Sequence, residues 1–95
     1  MDISWDREKA ESNQRKHGVL FEEAATVLSD PIAETFLDGA ATEERFITVG
    51  FAANGQLLLV VWCQQSEQSI RIISARRATK RERVDYEKGI RSKET

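Results

Sequence analysis

The spacing of hydrophobic residues changes near Pro31. Before it, hydrophobic residues recur every three or four positions, as in helices. After it, they form continuous stretches or alternate with polar residues, as in strands. Before this proline, the predicted elements are a short strand and two helices, over residues 3–5, 7–17 and 21–28. Asp6 is a candidate N-cap for the first helix, because its carboxylate can accept orphan amide hydrogens. Gly18 suits the left-handed residue that ends this helix.

After this change, the pattern predicts an antiparallel meander of four strands, over residues 32–38, 45–52, 56–64 and 69–76. The pair Asn54-Gly55 is a strong hairpin signal, because both residues tolerate positive φ. The third of these strands is apolar on both faces, as expected for a central strand. Strict alternation puts Arg71 and Ile73 on one face of the last strand and the even-numbered isoleucines on the other.

A charged C-terminal helix completes the pattern. Thr79 opens it, and Glu82 three residues later completes a capping box. We expect the helix to run to about Lys88, with Gly89 just past its end. Its apolar content is small, so we expect loose docking unless a partner covers it. The pattern indicates an α+β domain with N-terminal helices, a small antiparallel β-meander and a C-terminal helix.

Composition indicates one ordinary globular domain without a membrane partner. The chain has 95 residues, of which 40% are hydrophobic and 32% are charged, and one domain is expected at this length. The longest apolar run, Leu57 to Cys63, is far shorter than the roughly 20 residues of a membrane span. No basic start leads into an apolar stretch, so we expect no secretory signal and a cytoplasmic location.

Single copies of cysteine and histidine restrict the chemistry. Cys63 has no second cysteine for a disulfide, which fits a reducing cytoplasm. A zinc site would need two or more carboxylates beside Cys63 and His17, and no glycine-rich phosphate loop is present. We therefore expect neither a metal nor a cofactor.

The net charge of −2 hides a strong segregation of charge along the chain. Residues 21–70 carry one base, Arg45, against eight acids, whereas residues 71–95 carry nine bases against four acids. The basic end favours an anionic partner such as nucleic acid, although a charged terminal helix can also solvate itself. The acidic stretch could instead face a basic protein partner.

Five side chains are candidates for chemistry on phosphate. Arginine forks bind phosphate bidentately, and Arg76 and Arg77 lie where a strand becomes a helix. Arg71 could also bind phosphate, or pair with an acid on a neighbouring strand. Tyr86 could stack on a base or supply a hydroxyl, or it could anchor the last helix to the sheet. His17, the sole imidazole, could act as an acid or base, or contribute to the helix end before Gly18.

Several short sequence motifs follow one another along the chain in a characteristic order. The most specific are Lys16-His17-Gly18-Val19 and the run Arg71-Ile-Ile-Ser-Ala-Arg76-Arg77-Ala-Thr79. They are accompanied by Trp5-Asp6, Lys9-Ala10, Asn13, Phe21-Glu22-Glu23-Ala24, Asp30, Arg45, Gly50, Glu82-Arg83 and Tyr86. Together they resemble the BrnT toxin family over nearly the whole chain. The sequence departs from the family at Leu20, where members often place a small polar N-cap.

The resemblance implies a single BrnT-like toxin domain over residues 1–95, with a RelE-like fold. It implies a toxin of a bacterial type II toxin–antitoxin pair that cleaves RNA without a metal and arrests growth. The implied partner is a BrnA-like antitoxin with a ribbon-helix-helix domain. Operator DNA would then be bound only indirectly, through the antitoxin, with which the toxin represses their shared operon.

Metal-independent cleavage needs a base for the attacking 2′-hydroxyl, cations for the charge that develops on phosphorus, and an acid for the leaving oxygen. We predict catalytic roles for Arg45, Arg76, Arg77, Tyr86 and His17. We predict RNA binding by Lys16, Arg71, Lys80, Arg81 and Arg83. Two alternatives remain, a non-catalytic corepressor of a ribbon-helix-helix DNA-binding protein and a structural domain whose basic helix is merely solvated.

Overall fold

A computed structural model describes the backbone of residues 1–94 and the side chains of residues 1–89. Its elements are β1 (Asp2–Trp5), α1 (Arg7–His17), α2 (Phe21–Val27), β2 (Glu34–Leu37), β3 (Phe46–Phe51), β4 (Leu57–Ser66), β5 (Ser69–Arg77) and α3 (Lys80–Glu94). The predicted α+β class is confirmed.

The five strands form one sheet in the order β1-β5-β4-β3-β2. From β2 to β5, each strand pairs antiparallel with the next one along the chain. β1 joins the far side of β5 in parallel, with Ile3 opposite Ile70. The sheet is therefore mixed, because the parallel strand β1 adds to the antiparallel run from β2 to β5. The sequence predicted no pairing for this short first strand. The two edge strands of the sheet are β1 and β2.

Local signals predicted most element ends. α1 has its predicted bounds, and Gly18 ends it in the left-handed conformation with φ 68°. Asp6 occupies the N-cap position but makes no side-chain capping hydrogen bond, so the predicted role of its carboxylate was wrong. Leu20, which departs from the family pattern, likewise caps α2 without a side-chain hydrogen bond. α3 continues through Gly89 to Glu94 instead of ending near Lys88.

The strands depart from their predicted bounds in specific places. β2 begins at Glu34, two residues later than predicted, because the segment after Asp30 forms turns. The β3–β4 hairpin forms at Asn54-Gly55 as predicted, but only Gly55 has positive φ. A hydrogen bond from the Gly55 amide to the Ala52 carbonyl closes this turn.

The sheet has a covered face and a second face that we call the open face. α1 and α2 pack on the covered face around a buried cluster that includes Phe21, Leu58, Val60 and Ile72. Trp5 and Trp62 are partly buried against this cluster. On the open face, α3 covers a smaller cluster of Val49, Leu57, Leu59 and Tyr86. The remainder of the open face is available to a ligand or partner.

Asn13 joins α1 to the part of β5 that β1 does not reach. β1 pairs with β5 only as far as Ile72. Beyond that point, the Asn13 side-chain amide donates to the Ala75 carbonyl at 2.9 Å and accepts from the Ala75 amide at 3.0 Å. It also donates to the Val19 carbonyl at 3.0 Å. A buried side chain thus takes the place of a strand along this stretch of β5.

Asp30 and Gly50 hold the loop before β2 against the sheet. The Asp30 carboxylate accepts a hydrogen bond from the Phe51 amide at 2.8 Å and one from the Ile32 amide at 3.1 Å. A Cβ at Gly50 would lie 2.8 Å from the Cβ of Ala33. Only glycine allows this approach, which brings the loop and β2 onto the edge of β3.

Replacing Asn13 with alanine should lower the free energy of unfolding by about 2–4 kcal/mol, because the Ala75 amide and two carbonyls lose their buried partner. Urea denaturation of the two proteins measures the difference. Gln14→Ala, at an exposed neighbouring position of the same helix, is the control and should change stability by less than about 0.5 kcal/mol. Equal effects of the two substitutions would contradict this role.

Candidate active site

A bulge in β5 decides which of its side chains reach the open face. The register between β4 and β5 shifts between Val61 and Trp62, where Ile73 is the extra residue of β5. Strict alternation would have put Arg71 and Arg76 on opposite faces, but the extra residue puts them on the same face. The residues opposite Arg71, Ser74 and Arg76 on the open face are Cys63, Val61 and Leu59.

A groove runs between α1 and β5 at the border of the open face. Two adjoining depressions form it, and His17 and Ser74 line both of them. We call this feature the α1–β5 groove. Its polar lining side chains include Lys9, Ser12, Lys16, His17, Ser74 and Arg76. The structure thus brings the adjacent predicted site residues Lys16 and His17 into the same groove as Arg76, which lies far along the sequence.

Arg76 is held in a fixed orientation by Glu82 of α3. Its two terminal nitrogens donate to the two carboxylate oxygens at 2.7 and 2.9 Å. Glu82 also closes the predicted capping box with Thr79, which is confirmed by hydrogen bonds in both directions. The Arg76 side chain is still 42% exposed, so a phosphate could reach the guanidinium without unfolding the site.

The ion pair strongly perturbs the Glu82 carboxyl. Hydrogen bonds from Arg76, and then from the Thr79 amide, lower the pKa of Glu82 to about 2. The same hydrogen bond raises the pKa of Arg76 further above its ordinary value. Both groups therefore stay charged throughout the physiological range, and the charge of Glu82 offsets part of the field of Arg76.

Arg45 and Arg71 form a second cationic row on the open face. Arg71 lies opposite Cys63 on this face. Arg45 lies two residues before Ile47, which pairs with Val61, so alternation places Arg45 on the same face. The Nε of Arg45 is shielded from solvent and has no hydrogen-bond partner among the described residues. Arg71 is exposed. These two arginines lie beyond the groove, along the sheet from Arg76.

Arg77 does not share a site with Arg76. It pairs with Leu58, whose side chain is in the core on the covered face. Its guanidinium lies close to Gly18, at the C-terminal end of α1. If Gly18 had a Cβ atom, one terminal nitrogen of Arg77 would lie 3.3 Å from it. A guanidinium there is favourably placed against the helix dipole. The two adjacent arginines therefore point to opposite sides of the sheet.

Tyr86 anchors α3 to the sheet. Its hydroxyl donates to the Ile32 carbonyl at 3.0 Å, and its ring meets Phe51 edge to face at 5.9 Å. The residue is only 5% exposed. Burial, with smaller effects from Asp30 and Glu34, raises the pKa of the hydroxyl above its ordinary value. These contacts favour the anchoring interpretation over base stacking or proton transfer.

The predicted RNA-binding cations of α3 lie away from the groove. Lys80 and Arg81 are exposed in the first turn. Arg83 lies 5.9 Å from the centre of the Phe51 ring and 3.9 Å from Glu87. None of the three lines the α1–β5 groove. They form a separate exposed basic surface at the start of α3.

The sequence interpretation missed Lys9, Ser12 and Ser74, which also line the groove. Two signals could have identified them. Ser74 lies two residues before Arg76 in the same strand, so the two share a face. Lys9 and Ser12 lie on the same helical stripe as Lys16, at spacings of seven and four residues.

The described side chains, residues 1–89, contain no group of three His, Cys, Asp or Glu residues that could hold a metal ion. Over the described backbone, no helix has the length and apolar character needed to cross a membrane. The groove is therefore a site of cationic and hydroxyl side chains around one imidazole, and its chemistry suits an anionic ligand.

Comparison with known proteins decides the family. The sequence model of the ribonuclease toxin BrnT, of type II toxin–antitoxin systems, matches residues 5–82. This chain belongs to the BrnT family. The crystal structure of the Brucella abortus ribonuclease toxin BrnT is similar to it, with 27% sequence identity and a TM-score of 0.68. That match covers 84% of this chain and 99% of the Brucella chain. A search of curated proteins gave no match.

Membership of the BrnT family identifies the chain as a toxin of a type II toxin–antitoxin system, which has an antitoxin partner. The matched residues contain both walls of the α1–β5 groove and end at Glu82, the residue that holds Arg76. The predicted resemblance is therefore confirmed.

Glu82→Gln should destabilise this BrnT-family toxin at neutral pH, and the destabilisation should shrink as the pH falls from about 4.5 to about 2. The pKa of Glu82 is about 2 in the folded protein against an ordinary 4.5. The charged carboxylate thus stabilises the fold above pH 4.5, and this stabilisation is lost as Glu82 is protonated.

Urea denaturation at several pH values measures this dependence. Glu11→Gln is the control, because the contact of Glu11 with Arg7 is exposed and should contribute little at any pH. A stability loss for Glu82→Gln that is the same at pH 3 and at neutral pH would contradict the assigned ion pair.

Proposed function

We propose that the chain is a metal-independent endoribonuclease that arrests growth by cleaving RNA and is neutralised by a BrnA-like antitoxin. One observation carries the proposal: the sole imidazole, His17, lines the same groove as Ser74 and the oriented guanidinium of Arg76. The family's description as a ribonuclease toxin supports the reaction class.

The proposed chemistry is attack of an RNA 2′-hydroxyl on the adjacent phosphate, which breaks the bond between phosphorus and the 5′-oxygen of the next nucleotide. A base accepts the 2′-hydroxyl proton, and an acid donates a proton to the leaving 5′-oxygen. Arg76 stabilises the negative charge that develops on the phosphate oxygens, since Glu82 fixes its orientation in advance. His17 transfers a proton, because an imidazole is the side chain that can both accept and donate one near neutral pH. The resemblance implies a reaction without a metal, and the cationic side chains could supply the charge stabilisation that it needs.

The remaining cations of this part of the molecule bind the RNA backbone in our proposal. Lys9 and Lys16 hold phosphates along the groove, and Arg45 and Arg71 extend the path across the open face. Lys80, Arg81 and Arg83 guide RNA from the start of α3. Because these basic side chains are concentrated in one part of the molecule, a protein of net charge −2 can still bind RNA. Its affinity for RNA should fall as the salt concentration rises.

Arg77 and Tyr86 stay outside the proposed reacting set. Arg77 lies by the covered face near Gly18, and the Tyr86 hydroxyl is engaged by the Ile32 carbonyl. We also propose, from the resemblance alone, a RelE-like architecture, a cytoplasmic location and operator binding only through the antitoxin.

A second candidate is a non-catalytic corepressor of a ribbon-helix-helix protein. It is favoured by the bidentate engagement of Arg76, which gives this arginine a structural partner independent of any substrate. Under this hypothesis the groove binds no reacting phosphate, and tight antitoxin binding is the whole function.

Purified, antitoxin-free protein should cleave a defined RNA in excess chelator, and Arg76→Ala should lower the cleavage rate by about 100-fold or more. Arg77→Ala is the matched control, since it removes the neighbouring guanidinium on the other face of the sheet. Arg77→Ala should cleave at nearly the wild-type rate. Gel analysis of end-labelled RNA gives the rates, and circular dichroism verifies the fold of each variant.

Equal loss of cleavage in both arginine variants would remove Arg76 from its assigned role. Cleavage that disappears in chelator would contradict the metal-independent mechanism. A folded wild type that binds antitoxin but leaves RNA intact would favour the corepressor.

A further inference from the structure

The β2 edge of the sheet is open and carries unused backbone groups. The Asp38 amide donates to the Arg45 carbonyl. In an antiparallel ladder, every second residue of a strand bonds to the same neighbour, so the backbone groups of Glu34 and Phe36 also point towards β3. The backbone N–H and C=O groups of the intervening residues, Thr35 and Leu37, therefore point away from the sheet. They are available to a further strand.

The same edge exposes large apolar side chains on both faces. Phe36 is 50% exposed and Leu37 is 61% exposed. Phe36 continues a row on the open face through its partner Ile47, and Leu37 continues a row on the covered face through its partner Phe46. Exposed apolar edge strands pair readily with other chains, so proteins usually protect them.

The opposite edge of the sheet has no comparably exposed apolar side chains in its strand. In β1, the exposed positions are the polar residues Asp2 and Ser4, while Ile3 and Trp5 face the core cluster. A partner strand added to β1 would therefore gain little apolar contact at these exposed positions. Of the two edges, β2 is the one suited to a partner with apolar side chains.

An acidic groove lies beside β2, between this strand and α3. Phe36, Val49, Leu59 and Tyr86 provide its apolar lining. Its charged lining residues are all acidic: Glu34, Asp85 and Glu82, the last of which is already paired with Arg76. Glu34 belongs to the sequence segment 21–70, which has eight acids and one base, and the other two acids come from α3. The chemistry of a complementary segment is therefore apolar and basic.

We propose that β2 is the docking edge for the antitoxin, which adds an extended apolar and basic segment as a sixth strand of the sheet. Its alternate side chains cover Phe36 on one face and Leu37 on the other, and its basic side chains enter the acidic groove. The proposal rests on the proposed function only in taking the partner to be the antitoxin. The proposed contact lies at the β2 edge, so its affinity can be measured separately from RNA cleavage.

Leu37→Pro tests the edge directly. Proline removes an outward N–H and an apolar side chain, but none of the hydrogen bonds to β3, so the fold should persist. We expect binding of the purified cognate antitoxin to weaken about tenfold or more, measured by isothermal titration calorimetry. Val84→Ser is the control, because Val84 is a comparably exposed apolar residue of α3 at 43% that does not line the groove. It should leave the affinity unchanged.

Amide hydrogen exchange of the wild-type complex provides a readout that does not depend on a variant. Antitoxin binding should slow exchange at the Thr35 and Leu37 amides and change the already bonded Phe36 amide much less. Charge reversal at Asp85 should also weaken binding, whereas Glu67→Lys, in the β4–β5 turn, should not. RNA cleavage by Leu37→Pro should equal that of the wild type.

Three outcomes would overturn the proposal. Tight antitoxin binding without protection at Thr35 and Leu37 would locate the interface elsewhere. Protection of these amides in antitoxin-free protein at high concentration would identify a second copy of this chain as the occupant. Equal affinity of Leu37→Pro and wild type would exclude strand addition here. If the wild-type protein does not cleave RNA, the nuclease proposal is contradicted. The docking proposal is unaffected by that result, because antitoxin binding is measured separately.

Discussion

The pairing of the Asn13 amide with the Ala75 backbone supports the fold and the candidate site together. β5 is a central strand only while β1 accompanies it, and the buried Asn13 side chain satisfies its backbone where β1 has ended. Because this contact fixes α1 against β5, it also sets the width of the groove. Lys16 and His17, one turn further along α1, are thereby held facing Ser74 across the groove.

The open face is divided by charge into two regions with different partners. Near α1 and β5, the open face carries cationic side chains that suit a phosphate backbone. Between β2 and α3, it carries acidic side chains beside an apolar lining. The Arg76–Glu82 pair lies at the boundary and belongs to both regions. With this division, a chain of slightly negative net charge has separate surfaces for the proposed anionic substrate and the proposed basic partner.

The residues that carry the family resemblance mostly build the scaffold. Asn13 completes β5, Asp30 and Gly50 hold the loop before β2, and Glu82 and Tyr86 fix α3. The resemblance therefore predicted the family and its fold class correctly. The catalytic roles of Tyr86 and Arg77 stay predictions, although Tyr86 is engaged as an anchor and Arg77 lies apart from Arg76.

The sequence by itself determined the features that depend on a few neighbouring residues. These are the bounds of α1, the left-handed Gly18, the capping box of Thr79 and Glu82, and the hairpin at Gly55. Only the tertiary structure decided the parallel pairing of β1 and the bulge at Ile73. Both depend on register between distant strands, and a single extra residue reverses the face of every side chain beyond it. That reversal unites Arg71 with Arg76 on the open face.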